Sequence, residues 1–307
     1  MEDARSISAQ AFIGADPSPY PLPQGEGAWC VWEVDVMQAP IAQAVALTIA
    51  GNRFLRGEGL ADFWPEASVF RYCSRVHFVT LSGPDQAPIA DAYAEDPLAW
   101  MKKIQGEGRR GLRLLYVPSQ GTQRDRELVG FAGGGGRRLI AAIKGDAADL
   151  WEARWAVGDQ RDPAKKIWIV TYGRVATGFD VAGEPERSVA EIRADLAAAL
   201  ADITRFAEAQ QLENFAASFR LATERLAGGQ PLARGWFDKL GDKDGLDLPA
   251  GQLLGAAEAA WVFGAMGSWN DLTFKDETGR IYDELSNRLF ALVNEATVAA
   301  TNASLRM

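Results

Sequence analysis

The polar residues best suited to chemistry gather at the end of a strongly apolar segment. Glu258 lies inside the stretch AAEAAWVFGAMG, and Asp271 follows shortly after that stretch ends. A carboxylate that is removed from water must be paired, protonated or turned toward a cavity. Two carboxylates in different environments have separated pKa values, which acid and base catalysis requires. One hypothesis is therefore a carboxylate-based hydrolase or small-ligand enzyme that uses Glu258 and Asp271.

The residues beside Asp271 could form a binding surface. Ser268, Trp269 and Asn270 place a hydroxyl, an indole and an amide next to one another in the sequence. Indole and amide groups are common in pockets and in partner-recognition loops because they combine contact area with hydrogen bonding. We predict that these three residues contact a ligand or partner, with Arg288 as the partner of an anionic group.

A structural explanation of the same segment stays open. Gly267 would end the apolar helix, and residues 268–271 would form a turn that caps the next element. Glu258 would then pair with an arginine of a neighbouring helix, such as Arg220 or Arg288.

A glycine run is the second candidate site. Residues 133–136 are all glycine and stand directly before Arg137 and Arg138. The backbone amides of Gly134 and Gly135, with the two arginines, could hold an anion. The run matches neither the phosphate-binding loop nor the dinucleotide fingerprint. The following RRLIAAIK has the character of a strand, so a flexible hairpin link is the alternative.

Histidine and cysteine are scarce. The only histidine is His77, in the strand-like RVHFVTL, so a histidine-dependent nucleophile or a zinc site would have to rely on this residue. We therefore expect no metal and no cofactor, and we interpret His77 as an ordinary sheet residue. Cys30 and Cys73 are predicted to be free thiols, which fits a reducing cytosol.

Charge and hydropathy restrict the partners. The chain has 41 acidic and 32 basic residues and a formal charge of −9, which opposes binding to nucleic acid or to an anionic membrane. The start, MEDARSISAQAF, has no signal-peptide core, and the most apolar run, 253–266, is too short to cross a bilayer. These features predict a cytoplasmic protein whose partner is another protein. Abundant alanine, and arginine in preference to lysine, indicate a bacterial source.

The first part of the chain predicts a sheet. The proline-rich segment 16–28 is expected to be a surface linker. From Cys30 onward, apolar and polar residues alternate in runs that predict strands with one buried face. These runs lie at 30–36, 75–81, 112–117, 128–132, 137–144, 149–158 and 167–175. The last links between them are short, which favours antiparallel neighbours. A helix is predicted at 91–104, with Pro97 in its first turn.

The last part of the chain predicts helices. Ser188 and Glu191 have capping-box spacing, and an apolar stripe of helical period follows them. The segment 251–267, apolar nearly all round, predicts a helix buried among other helices. A final amphipathic helix is expected at about 276–303.

The fold class that follows is α+β. We predict an N-terminal antiparallel, meander-like sheet of about six or seven strands with one or two helices, followed by a C-terminal bundle of three to four helices. The predicted division is an N-terminal segment and linker at 1–28, a sheet domain at 29–183 and a helical domain at 184–307.

Three functions remain open at this stage. The leading hypothesis is a non-enzymatic binding or accessory protein, an inhibitor or immunity-type partner of another protein, because no catalytic motif stands out and the acidic surface suits a basic partner. The alternatives are the carboxylate-based enzyme and a structural component of an assembly.

Overall fold

The computed structural model describes residues 39–82, 89–131, 134–181, 187–228, 245–264 and 267–305. The proline-rich segment 16–28, the predicted strand at 30–36 and Cys30 lie outside these residues. Their sequence-based interpretations therefore stay predictions.

The described residues form a six-stranded sheet and seven α-helices, which confirms the α+β class and the helical C-terminal part. The strands are β1 (Cys73–Ser82), β2 (Ile89–Ala94), β3 (Gly111–Val117), β4 (Arg137–Lys144), β5 (Ala147–Val157) and β6 (Trp168–Asp180). The helices are α1 (Ala39–Leu55), α2 (Pro97–Gly106), α3 (Thr122–Leu128), α4 (Val189–Ala209), α5 (Glu213–Ala227), α6 (Leu248–Ala259) and α7 (Asp276–Asn302). Short 3₁₀ turns occur at Ser68–Phe70 and Trp269–Asp271.

The sheet is mixed, so the prediction of a purely antiparallel sheet was wrong. The strand order is β2-β1-β6-β5-β4-β3. Strands β3 to β6 form an antiparallel meander, and β1 pairs with β2 in the antiparallel sense, but β1 and β6 are parallel. Short links determine direction only between strands that are consecutive in the chain. Strands β1 and β6 are separated in the sequence by β2, β3, β4 and β5, so no short link indicates that they pair.

Two local predictions also need correction. Residues 91–104 do not form one helix, because β2 continues to Ala94 and α2 begins only at Pro97. Asp96 caps α2 by accepting a hydrogen bond from the Ala99 amide at 2.8 Å, and Pro97 occupies the first turn as expected. The predicted strand at 128–132 does not form among its described residues, since Leu128 ends α3 and the following residues turn.

Helix α1 is the centre of the molecule, and the sequence analysis missed it. All residues from 41 to 52 are buried. The helix packs against β3, β4 and β5 on one side and against α2 and α7 on others. A helix with no polar stripe must be enclosed on every side, which is the position that α1 occupies.

One continuous apolar core joins the sheet, α1 and the C-terminal helices. On the sheet side Phe78 stacks on Trp100 of α2 at 4.6 Å between ring centroids and on Tyr172 of β6 at 5.1 Å. Trp151 completes this aromatic group from β5. A second, smaller cluster that includes Leu139 and Leu150 is buried on the opposite face of the sheet.

The C-terminal helices pack in a ring, in which α4 contacts α5 and α7 while α6 contacts α5 and α7. The predicted capping box at the start of α4 is present, because the Glu191 amide donates to Ser188 Oγ and the Ser188 amide donates to Glu191 Oε2. Residues 250–259 of α6 are all buried, as its apolar sequence predicted. No helix within the described residues is both long and apolar enough to span a membrane.

The edge of the sheet at β3 is closed by two side-chain amides. Asn52 of α1 accepts a hydrogen bond from the Leu112 amide at 2.6 Å and donates to the Leu112 carbonyl at 3.0 Å. Asn302 of α7 makes the same pair of bonds to the backbone of Leu114, at 2.7 and 3.1 Å. Each amide replaces the backbone partner that a further strand would supply, so the edge cannot pair with another chain.

Replacing Asn302 by leucine should destabilise the fold. The variant leaves the buried amide and carbonyl of Leu114 without these bonds, and each orphaned group costs about 1–3 kcal/mol. We expect Asn302→Leu to lower the free energy of unfolding in urea by roughly 2–4 kcal/mol. The exposed Asn214→Leu on α5 is the control and should change it by less than about 0.5 kcal/mol. Equal stability of the two variants would show that the amide does not hold this edge.

Candidate functional site

Glu258 is held by an ion pair inside the helical part. It is 5% exposed, and Arg225 of α5 donates from Nη1 to its Oε2 at 2.9 Å. The structural alternative named Arg220 or Arg288 as the partner, but Arg220 pairs with Glu208 and Glu213 on the surface. Helix α6 therefore carries its one acidic residue toward α5, where a cation compensates it.

Asp271 belongs to a cap. Its Oδ2 accepts hydrogen bonds from the backbone amides of Gly267 at 2.6 Å and Ser268 at 3.1 Å. These bonds close the 3₁₀ turn Trp269–Asp271. The capping alternative placed the end of the apolar helix at Gly267, but α6 ends at Ala259. The structure thus gives Asp271 and Glu258 separate partners. The enzyme hypothesis that joins them stays a prediction.

Trp269 lies in the core. It is fully buried, and its Nε1 donates to Ser286 Oγ of α7 at 2.7 Å. The rings of Phe206, Phe215 and Phe219 meet it edge-on with centroids 5.1 to 6.2 Å away. An indole with its N–H bonded and its faces covered acts as an anchor between α4, α5 and α7.

Asn270 connects the same turn to α3 through a buried arginine that the sequence analysis did not single out. Asn270 donates from Nδ2 to the Arg126 carbonyl at 2.6 Å and accepts from Arg126 Nη1 at 3.2 Å. Arg126 also donates to Asn287 at 2.8 Å and to Asp283 at 3.0 Å, both on α7. The predicted binding residue Arg288 lies elsewhere on α7 and pairs with Asp202 at 2.8 Å.

Arg137 and Arg138 point to opposite faces of the sheet, so the two side chains do not meet at the glycine run. Arg137 makes two hydrogen bonds to Glu152 of β5 at 2.6 and 2.7 Å. Arg138, the next residue along β4, points to the opposite face, as alternation along a strand requires. It donates to the carbonyls of Gly135 and Gly136 and to Asn294. Gly134 donates its amide to Phe131 within the turn.

Arg138 is a cation among neutral partners. Its guanidinium lies over the Tyr116 ring at 4.3 Å, and burial lowers the pKa of Arg138 to about 10. It therefore stays protonated at neutral pH. Because its donors are taken by two glycine carbonyls and an asparagine, Arg138 fixes the glycine turn against α7.

A cavity of about 400 Å³ lies at the other side of the sheet, between β1, β2 and α2. Among the described residues β2 pairs with residues 78–82 of β1, and the first half of β1 has no described antiparallel neighbour. After Ala94 the chain leaves the sheet and enters α2, which leaves a space beside β1. We call this space the open corner and define it by five of its lining residues: Arg75, His77, Tyr93, Glu95 and Lys103.

Three side chains with a formal charge line the open corner. Arg75, Lys103 and Glu95 are all exposed, so the lining has two cationic residues and one acidic residue. Lys103 is positioned by a hydrogen bond to the Tyr93 carbonyl at 3.1 Å, and its ammonium lies 4.1 Å from the Tyr93 ring centroid. Burial raises the pKa of Tyr93, so its phenol is uncharged.

His77 adds no charge to the open corner at neutral pH. Its Nε2 lies 3.3 Å from Thr171 Oγ1 of β6. Burial, together with the Arg75 guanidinium, lowers the pKa of His77 from its ordinary 6.5. The prediction of a sheet histidine is confirmed in its position on β1, but the sequence analysis did not connect it with Lys103, because no motif joins a strand to a helix 26 residues later.

The described residues hold no group of three or more histidine, cysteine, aspartate or glutamate side chains that could bind a metal ion. Cys73, the cysteine within the described part of the chain, is a buried free thiol, and burial raises its pKa to about 11. Comparisons with protein-family models, with curated proteins and with solved structures found no match.

Removing the cation beside Glu258 should cost more than removing the whole pair. Arg225→Met leaves the Glu258 carboxylate buried without its main partner, and we expect a loss of roughly 3–5 kcal/mol in the free energy of unfolding. In the double variant Arg225→Met/Glu258→Leu both charges are gone, so we expect a loss of less than about 1.5 kcal/mol. Urea denaturation measures both values. A double variant no more stable than the single one would contradict a structural ion pair.

The lowered pKa of His77 should make stability depend on pH. Below about pH 6.5 the unfolded chain binds a proton at this histidine, while the folded chain does so only at lower pH. The contribution of His77 to the free energy of unfolding is therefore fully present above about pH 6.5, and it decreases as the pH falls below that value. We expect the wild type to lose more stability than His77→Gln between about pH 7.5 and 5.5. Parallel losses in urea denaturation would count against a lowered pKa.

Proposed function

We propose that this chain is a non-enzymatic accessory protein that binds another protein, as an inhibitor or immunity-type partner does, in the cytoplasm of a bacterium. The recognition surface in this proposal is the open corner together with the exposed edge of β2. The observation that carries the proposal is the contrast between the two sides of the sheet.

The candidate catalytic groups make structural contacts within the chain. Glu258 is paired with Arg225, and Asp271 accepts two backbone amides. Neither residue lines the open corner. A buried carboxylate whose partner is a hydrogen-bonded cation of the same chain is suited to holding two helices together.

The two edges of the sheet differ in how their backbone groups are bonded. At β3, Asn52 and Asn302 occupy the backbone groups of the strand, so addition of a strand is blocked. At the other side no described strand covers β2 or the first half of β1. Natural proteins block or cover edges that are not used, and an edge left open offers backbone hydrogen bonds to a partner.

The charge of the chain also supports binding to another protein. A formal charge of −9 raises the rate of encounter with a basic protein. The open corner differs from this background, because Arg75 and Lys103 outnumber Glu95. A small cationic area on an acidic protein discriminates between partners, since only a partner that places negative charge at this one area gains the local attraction.

Reversing the charge of the open corner should abolish capture of the partner. We expect the wild-type chain, immobilised and exposed to lysate of its source bacterium, to retain a specific protein that Arg75→Glu/Lys103→Glu does not retain. Opposite charges at an interface become like charges in this variant, which costs several kcal/mol. Quantitative mass spectrometry of the retained proteins provides the measurement.

The matched control is Arg205→Glu/Arg280→Glu, which makes the same change in net charge at two exposed arginines of α4 and α7. It should retain the same protein as the wild type. The proposal fails if no protein is enriched, or if all three forms retain the same proteins in equal amounts.

A further inference from the structure

Four arginine side chains near one end of the sheet make no bond within the chain. Arg71, Arg75, Arg154 and Arg161 are exposed, and within the described residues none of their guanidinium groups forms a hydrogen bond or an ion pair. Arginines elsewhere in the described residues, such as Arg220, are paired with carboxylates of the same chain. We call these four residues the arginine patch.

The arginine patch belongs to three neighbouring strands. Two of its members lie at the start of β1, and two lie on β5 and on the link that follows β5. Strand β6 lies between β1 and β5, and its first residue, Trp168, pairs with Cys73 of β1 and with Val157 of β5. The Trp168 amide also donates to the Tyr72 carbonyl at 3.0 Å. All four arginines therefore lie near the same end of these strands.

Arg75 and Arg154 project from the same face of the sheet. Each stands beside a residue that packs on the core, Val76 on β1 and Trp155 on β5, so both arginine side chains project from the opposite face. Thr171 of β6 pairs with Arg154 on one side and with residue 77 of β1 on the other. Strand spacing thus places the backbones of Arg75 and Arg154 roughly 12 Å apart. One extended segment that lies over β6 contacts both side chains.

The link between β5 and β6 does not neutralise the arginine patch. It carries Asp159 and Asp162, but it also carries Lys165 and Lys166. Both aspartates bind backbone amides of the link. Asp159 Oδ1 accepts from the Arg161 amide at 2.9 Å, and Asp162 Oδ1 accepts from the Lys166 amide at 3.0 Å. The four arginines thus form a local area of positive charge on a chain whose formal charge is −9.

We infer that the arginine patch binds an acidic segment of the partner protein, whose carboxylates accept the hydrogen bonds that these arginines do not make within the chain. This inference rests on the proposed function, in which the chain binds another protein, and it adds a surface that meets the open corner at Arg75. A guanidinium presents its donors in a fixed fork that matches a carboxylate. Arg71 and Arg75 are at most about 13 Å apart along the chain, a length that four or five residues of an extended segment span.

A protein segment suits the arginine patch better than nucleic acid does. Single-stranded nucleic acid stacks its bases on aromatic side chains beside the cations. The indoles at this end of the strands, Trp155 and Trp168, instead pack against the core on the other face of the sheet. A nucleic acid longer than the patch would also meet the acidic remainder of the chain, whereas a short acidic segment contacts the patch alone.

The experiment measures binding of a fluorescein-labelled peptide of eight glutamates, with blocked ends, to the full chain. Fluorescence anisotropy at about 50 mM NaCl should show saturable binding that weakens as salt is added, because salt screens exposed charges. Arg71→Gln/Arg75→Gln/Arg154→Gln/Arg161→Gln should bind the peptide at least about tenfold more weakly, since four exposed charge pairs are lost. Absence of saturable binding to the wild type would overturn the inference.

The matched control is Arg124→Gln/Arg205→Gln/Arg220→Gln/Arg280→Gln, which removes the same charge from arginines that are paired with carboxylates. It should bind the peptide within about twofold of the wild type, because these charges are remote from the patch and screened. Equal weakening in the two variants would mean that the peptide responds only to net charge, which contradicts the site. Tighter binding of a single-stranded DNA of eight nucleotides than of the peptide would overturn the assignment to an acidic protein segment.

Failure of this inference is distinguishable from failure of the proposed function. If the wild type retains a protein from lysate and the variant that lacks the four arginines retains it equally, the partner binds elsewhere and only the arginine patch assignment falls. If the peptide binds as expected but the wild type retains no protein, the proposed function falls, and the patch is a site for carboxylates of another kind of ligand.

Discussion

The complete burial of α1 is the constraint on which the rest of the structure depends. Twelve successive residues, 41 to 52, are hidden from water, so the helix needs neighbours on every side. The sheet covers it with β3, β4 and β5, and α2 and α7 cover other sides. Helix α7 is also part of the ring of C-terminal helices. Because α1 packs against both the sheet and α7, the sheet and that ring share one core.

Few polar side chains interrupt α1, and two of them position it along the sheet. Near its start Gln43 donates to the Val69 carbonyl at 3.1 Å and accepts from the Tyr172 hydroxyl at 3.2 Å. Near its end Asn52 bonds the backbone of Leu112. An apolar helix could slide along an apolar sheet at small cost, but these directional bonds stabilise one position. That position brings Asn52 to the edge of β3 and leaves the opposite side of the sheet to the shorter α2.

The sequence predicted most elements from local patterns. Strands β4, β5 and β6 were found as short runs rich in apolar residues, and α4 was found from its stripe and its capping box. Helix α1 was missed because an apolar run without a period does not distinguish a helix from a buried strand, whereas α6, apolar in the same way, was predicted from its many small residues. Helix α3, TQRDREL, was missed for the opposite reason, since it has a single apolar residue. The parallel contact of β1 with β6 is a long-range pairing that no local pattern encodes.

The residues of the candidate site could likewise be predicted only in part from the sequence. The sequence singled out Glu258 and the group from Ser268 to Asp271, and the structure shows that Glu258, Asp271 and Trp269 form hydrogen bonds within the chain. What distinguishes a structural from a functional polar group is whether its partner lies within the same chain, and partners such as Arg225 or Ser286 cannot be identified from spacing. The open corner was not found because its residues come from two strands and a helix.

The buried polar residues of α7 differ in where their hydrogen bonds go. Ser286, Thr297 and Thr301 donate their hydroxyls to carbonyls one turn earlier in the same helix, and Ser286 also accepts the indole N–H of Trp269. Asn302 instead uses its amide on β3, which selects the rotation of α7 about its own axis. The sheet transmits this choice, since its strands are joined by continuous backbone hydrogen bonds from β3 to β1. The edge that Asn302 closes and the strands beside α2 therefore belong to one hydrogen-bonded sheet.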